Sequence, residues 1–458
     1  MGVPALAAIG YLVVTIIIGM ARSKRGKGVR EFFIAGGQLS WIMLVPLLMA
    51  EYVTASATVG NAEMAHDSGV ISLWYFMGAP IGLTVLAFGF AKFYQTIRKI
   101  TIGEAFATLF DRKTRLACAV FLLVSSALAI GTVPLSLGTL LAPWFNISYE
   151  SGVWLSIAVL VALAAAGGLR GIATMNSVHL FAIIICFVAG AAAAVNAVGG
   201  LGNLVSSLPA EHLNLARPGG LTVTAWIIAS VTVKLISTIA ITAMYAAKNE
   251  RSAKIGALST GGFLILFAVL PMLIGLSAYV LMPDIPSRLA MWEMGKYLGV
   301  GMSAMISIGV VAAIFSTTPG TILSMGALAT RDIFVVIKPE ASERAQLVFS
   351  RIAMAVLAFS ATGFGLTQSS ILRLLLKSMQ VRSIFAVILV VSVLWRRIHP
   401  TAAFWTIVVG ATCGFTWLFA DSPFGIEPLW PGLGMGILTL IITSLKKRPS
   451  LYKGVEGL

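Results

Sequence analysis

A chain of 458 residues that is 58% hydrophobic and 11% charged, with a mean hydropathy of +0.96, is not that of a soluble domain. A net charge of +15 would suggest nucleic acid in a soluble protein. Here most Lys and Arg fall in short loops between apolar runs, where they set membrane topology, so the partner expected is a lipid bilayer, not nucleic acid. Cys118, Cys186 and Cys413 lie far apart in apolar segments without CxxC spacing, and four scattered histidines offer no metal cluster.

About thirteen segments of bilayer-spanning length are predicted, which makes the chain an all-α polytopic membrane protein. The first, 4–21, is followed by Arg22, Lys24, Arg25, Lys27 and Arg30 rather than by a small-residue cleavage site, and a retained helix is expected. The second, 39–61, contains Leu44 to Gly60, reading LVPLLMAEYVTASATVG. Glu51, Tyr52, Thr54, Ser56 and Thr58 sit in its middle, where unsatisfied polar groups facing lipid would cost several kcal/mol each, on the order of. Hydroxyl-bearing, β-branched and small residues are also weak helix formers. A broken helix with free backbone carbonyls near the bilayer midplane is predicted, the way many carriers build ion and substrate sites. The alternative is a kinked helix whose polar face packs on neighbours.

The third segment covers 70–93. Later ones fall near 116–143, 151–168, 174–198, 222–247, 255–282, 298–329, 345–366, 371–395, 401–420 and 428–445. Gly167-Gly168 and Gly199-Gly200 close apolar runs and read as helix termini. Every second loop is basic: after Arg98, Lys99, Arg112, Lys113 and Arg115 come Arg170, then Lys248, Arg251 and Lys254, then Arg331, Lys338 and Arg344, then Arg396 and Arg397, then Lys446, Lys447 and Arg448. The alternate loops carry chiefly Arg217, Arg288 and Lys296. The positive-inside rule then places the chain in the cell's inner (cytoplasmic) membrane with the N-terminus outside and the C-terminus in the cytoplasm. Neither a soluble domain nor a GxGxxG, Walker A, HExxH or GxSxG motif in its proper context is found, so no enzyme is expected.

The segment 299–334 repeats small residues, and within it Ser316 and Thr317 offer adjacent hard oxygens for an alkali cation, with Pro319 just after them freeing a further carbonyl. Membrane Ser and Thr also commonly bond to carbonyls of their own helix, which alone would explain the pair. At this point several stretches, in order, resemble the sodium:solute symporter family: Glu31-Phe32-Phe33-Ile34-Ala35-Gly36-Gly37, Ile102-Gly103-Glu104-Ala105-Phe106, Gly168-Leu169-Arg170, Ala246-Ala247-Lys248, Ala312-Ala313-Ile314-Phe315-Ser316-Thr317, and Thr330-Arg331-Asp332-Ile333-Phe334. The resemblance implies the LeuT-type fold, a 5+5 inverted repeat with one helix before it and two after. Its parts would be 1–38, a first repeat at 39–200, a second at 221–397 and C-terminal helices at 398–458. It also implies a Na+ site formed by the carbonyls of Ala50, Val53 and Ala313 and the hydroxyls of Ser316 and Thr317. Such a set without a carboxylate suits a weakly held monovalent cation, whereas calcium or magnesium would favour carboxylates. Where relatives often carry an aspartate associated with a second sodium, this chain has Asn176, so one sodium per cycle is expected.

Three intramembrane charges stand out. Glu51 is one. Lys234 falls about twelve residues into its span, and Arg382 lies roughly 16 Å deep, too far to snorkel comfortably. Arg373 lies near a segment end and reads as structural; Lys377 is ambiguous. Glu51, Tyr52, Lys234, Ser237, Gln380 and Arg382 are the candidate substrate or gate residues; the alternative is a buried ion pair, Glu51 with Lys234 or Arg382, that only holds helices together. The expected function is a sodium-coupled symporter that imports a small organic solute, a carboxylate or amino acid, by alternating access, working as a monomer. Its rivals are a proton-coupled carrier using Glu51 and a transporter-like sensory membrane module. Uptake into proteoliposomes under a sodium gradient separates the three.

Overall fold

The computed structural model describes residues 2–22, 28–131, 133–217, 219–367, 379–394, 398–420 and 422–446. Arg373, Lys377 and the loop residues Lys24, Arg25, Lys27, Arg396, Arg397, Lys447 and Arg448 lie outside them. Among the described residues the chain is helical and has no strand; one isolated parallel bridge pairs Leu39 with Ala247.

The principal helices are α1 (Val3–Arg22), α2 (Trp41–Tyr52), α3 (Asn61–Ser68), α4 (Trp74–Val85), α5 (Arg112–Gly131), α6 (Val133–Phe145), α7 (Tyr149–Ala197), α8 (Gly220–Ile236), α9 (Thr238–Ala246), α10 (Glu250–Leu281), α11 (Val300–Ala327), α12 (Glu343–Leu366), α13 (Ser383–Leu394), α14 (Pro400–Phe419) and α15 (Leu429–Lys446). Seven helices among the described residues are long and apolar enough to cross a bilayer, and two bent pairs raise that to nine. Shorter apolar helices at Val3–Ile18, Tyr149–Ala165, Met379–Ser392 and Leu429–Ser444 lie on other segments expected from hydropathy. Several starts are set by side-chain caps: Ser148, Asn249 and Ser342 each accept a hydrogen bond from a backbone N–H of the first turn.

Two segments expected to be separated by a loop are joined. The helical run of α7 is 49 residues long, about 74 Å at 1.5 Å per residue, more than twice a bilayer core. It must fold back, and it does so at Gly168, whose φ of 54° and ψ of −172° break the helix. A Cβ at this position would lie 2.9 Å from the carbonyl oxygen of Phe32, so glycine is required by conformation and by space. Gly168 is therefore the corner itself rather than a helix terminus before a loop.

Both broken helices lie at the centre. The axis bends by 64° between Trp41–Tyr52 and Ser56–Leu73, and by 42° between Val223–Ile236 and Thr238–Ala246. The second break, at Ser237 (φ −58°, ψ 125°), interrupts a segment expected to run continuously over 222–247. Helix α11 passes beside them, buried along most of its length, and packs against α7, α2 and α9. Helix α8 lies against α4, where a Cβ on Gly82 would meet the Cβ of Lys234 at 2.8 Å. That close approach fixes where the lysine leaves its helix.

Candidate functional site

The break after α2 releases two carbonyls from the helix ladder. Continued helix would give the Ala50 oxygen the N–H of Thr54, but that N–H bonds to the Tyr52 oxygen at 2.9 Å. The Val53 oxygen would take the N–H of Ala57, which bonds instead to the Thr54 hydroxyl at 3.3 Å. Both carbonyls turn toward α11. The Thr317 hydroxyl donates to the Ala50 oxygen and lies 3.4 Å from that of Val53 and 3.0 Å from that of Ala313. The Ser316 hydroxyl donates to the same Ala313 oxygen at 2.8 Å. The structure thus gathers all five residues named from the sequence as cation ligands. Bonds to Ala313 are the ordinary behaviour of membrane hydroxyls. The reach of Thr317 across to the two freed carbonyls of another helix is not.

One cavity of about 140 Å³ adjoins this group, and Thr317 lines both. Glu51, Tyr52, Lys234, Ser237 and Arg382 line it, with Thr54 and Ser56 of the broken helix and with residues that sequence reasoning passed over, among them Ser230, Thr238 and Thr321. The volume suits a small solute. Glu51 Oε1 accepts a hydrogen bond from the Ser237 hydroxyl and lies 3.8 Å from Lys234 Nζ. Lys234, 4% exposed at its side chain, also places Nζ 3.2 Å from the centroid of the Tyr52 ring, a cation–π contact. Ser237 additionally accepts from the Ala240 N–H and so caps α9. One serine ties the second break to the first.

Arg382 does not pair with Glu51. Its Nε donates to the Ser125 hydroxyl and its Nη2 to the Ser125 carbonyl oxygen, each at 2.8 Å. Ser125, mid-span on α5, is a partner that the sequence reading did not name. Gln380 is a correction: its amide donates to Glu427 at 2.7 Å and its carbonyl accepts from the Leu429 N–H at 3.2 Å, and it does not line the cavity. Its partners Glu427 and Leu429 place it at the turn before α15, whereas the preceding Met379 lines the cavity. Asn176, in place of the expected aspartate, is buried, and its Oδ1 has no hydrogen-bond partner among the described residues.

A second charged cluster lies at the end of the molecule that bears the basic loops. The short helix Ile102–Leu109 carries Glu104, which lies 2.7 Å from Arg331 and 3.4 Å from Arg115. Arg115 also binds Asp332 at 2.8 Å, and Thr101 donates to the same Asp332 oxygen at 2.9 Å. Arg331 and Asp332 sit on the π-helical continuation of α11, Leu328–Phe334.

The sodium:solute symporter family model matches residues 32–410. The chain is 22% identical over 462 residues to an uncharacterised symporter, YwcA, of Bacillus subtilis (strain 168), covering 95% of this chain and 88% of that one. It is 23% identical over 512 residues to sodium/glucose cotransporter 4 of Danio rerio, covering 98% and 74%. Its fold matches that of a Na+-coupled sialic acid symporter, solved in a substrate-bound outward-open state, with a TM-score of 0.85, 13% identity and full coverage of both chains.

Proposed function

We propose that this chain, which belongs to the sodium:solute symporter family, holds its driving ion on the carbonyls of Ala50, Val53 and Ala313 and the hydroxyls of Ser316 and Thr317, and its solute in the adjoining cavity. It is a sodium-coupled symporter with the LeuT fold in the cell membrane, and a carrier rather than an enzyme. The observation that carries the ion assignment is the bridge from Thr317 to the two carbonyls released at the break. With the hydroxyl protons rotated outward, these five oxygens would offer a site without a carboxylate, weak and suited to an ion that must leave in every cycle. The ion would join α11 to the broken helix next to Glu51, and that shared boundary is how two ligands favour one conformation.

Thirteen spans, repeats at 39–200 and 221–397, one sodium per cycle and a monomeric working unit complete the reading. With the basic loops in the cytoplasm, the buried stretches Leu44–Ala50 and Ile239–Ala246 close the inner side, while Thr54, Ala55, Ser56 and Ser230 are partly exposed above them. This supports an outward-facing state.

The test is thermal unfolding of the detergent-solubilised protein in sodium against potassium at equal ionic strength. At sodium one hundred times its Kd the stabilisation is about 2.7 kcal/mol. Ser316→Ala combined with Thr317→Ala is expected to abolish the sodium-specific part. Full retention in the double variant rejects these ligands. Sodium-driven uptake in proteoliposomes tests the coupling separately.

A further inference from the structure

Among the described residues the cavity is lined by one acid, Glu51, and two bases, Lys234 and Arg382. The lysine and the acid already answer each other at 3.8 Å, and the lysine has the Tyr52 ring as a second partner. Arg382 has two bonds to Ser125, both to neutral oxygens, and no carboxylate among the described residues. A guanidinium stays protonated, so its charge at this depth calls for an anion, and its fork is shaped for a carboxylate. Two further atoms remain open. Glu51 Oε2 and the Tyr52 hydroxyl are buried without a hydrogen-bond partner among the described residues. With Oε1 accepting from Ser237 and lying beside Lys234, an ionised Glu51 leaves Oε2 as an acceptor.

We propose that the transported solute is a small monocarboxylate anion carrying a hydroxyl group, with its carboxylate on Arg382 and its hydroxyl donating to Glu51 Oε2. This rests on the reading of the cavity as the solute site. A monoanion brings the three cavity charges to zero, which neither a neutral sugar nor a zwitterion does. The Glu51–Lys234 pair is then a fixed internal dipole that orients the solute, and Arg382 is the anchor. Ser125, which holds Nε and Nη2, is a positioning residue that aims the remaining edge of the guanidinium.

The experiment measures binding to purified protein in sodium buffer, by isothermal titration, with lactate, propanoate, alanine and glucose as probes. Lactate is expected to bind best and propanoate next, with glucose at least about tenfold weaker than either, the scale of one charge-assisted hydrogen-bonded contact. Arg382→Gln should weaken lactate about tenfold to hundredfold, and Arg382→Lys, which keeps the charge but loses the fork, should recover part of that loss. Removing both members of the pair together, Glu51→Met with Lys234→Met, should leave propanoate binding and erase the preference for lactate. Glucose binding best, or lactate binding Arg382→Gln as it binds the wild type, overturns the anion assignment. Alanine binding better than lactate overturns the monoanion and gives Glu51 an ammonium instead. The sodium-specific thermal shift of the same variants separates the two readings: its retention with loss of lactate supports the anchor, whereas its absence from the wild type removes the sodium site on which the cavity reading stands.

Discussion

Two groups of buried charge lie at different levels of this molecule. Near the basic loops, Glu104 and Asp332 face Arg115 and Arg331, two acids against two bases, with ion-pair distances of 2.7, 2.8 and 3.4 Å and added bonds from Thr101 and from the Ile100 N–H. At the centre, Glu51 meets Lys234 at 3.8 Å and the guanidinium of Arg382 meets Ser125, with no carboxylate among the described residues. The first group is balanced and dense, and it joins the short helix Ile102–Leu109 and the start of α5 to the end of α11. Among the described residues the second is one charge short, borders a cavity, and leaves Glu51 Oε2 and the Tyr52 hydroxyl without a hydrogen-bond partner. A balanced cluster holds helices in register. An unbalanced one next to a cavity leaves a charge for a ligand to complete, which is the reading proposed above for the centre.

That contrast breaks if the two groups respond alike to the loss of one member. Asp332 is fully buried, and a Cβ on the neighbouring Gly103 would lie 2.5 Å from its carboxyl carbon, so nothing larger than glycine fits beside it. Asp332→Ala leaves Arg115 without its nearest acid, and the expected destabilisation is about 3–5 kcal/mol. Replacing Arg115 and Asp332 together by Leu should cost much less, because neither charge is then left alone. Thermal unfolding of the purified protein measures both. A single variant as stable as the wild type would show that this cluster is not a brace.

The central pair is expected to give a smaller effect, since its members are 3.8 Å apart and open onto a cavity that water can enter. In a double-mutant cycle with Glu51→Gln and Lys234→Met, the coupling should fall within about 0.5–3 kcal/mol. The ligand-free protein should show it clearly. A coupling of zero would mean that the two charges sit side by side without sensing each other, and the internal dipole would be lost from the argument.

The difference also explains what was legible in the sequence. The broken α2 was visible because Glu51 and the hydroxyls through Thr58 cannot face lipid, whatever surrounds them; the cost is local. The five candidate ion ligands followed from a family resemblance, and the structure gathers them because the break frees Ala50 and Val53 opposite Thr317. The break at Ser237 was not read, because a single serine after Lys234 is ordinary in a membrane helix; only its bond to Glu51 and its capping of α9 distinguish it. Gly168 reads in the sequence as a helix terminus because sequence does not say whether a corner needs a loop. The brace was the largest omission. Arg115 and Arg331 were counted among the loop cations that set topology, and their acids, Asp332 and Glu104, lie 217 and 227 residues away. Charge alternation reports the side of the membrane, not the partner.

The smallest effect should come from a third pair, which sharpens the comparison by holding geometry while removing burial. Arg170 and Glu31 lie 3.4 Å apart, the same separation as Arg115 and Glu104, but their side chains are 37% and 33% exposed against 17% and 7%. Water screens such a pair, and holding two long side chains in one arrangement costs entropy, so its net value is about 0–1 kcal/mol. Arg170→Gln is therefore expected to shift stability by no more than that, and the shift should vanish in about 1 M salt, where the screening length falls to about 3 Å. Thermal unfolding at low and high salt measures it. Both residues sit in stretches that carry the family resemblance, and the physical reason there is the neighbouring Gly168, pressed against the backbone of Phe32, rather than the charges. If Arg170→Gln instead costs as much as Asp332→Ala, then burial does not set the strength of ion pairs in this protein, and the distinction between brace and site would have to be argued from the cavity alone.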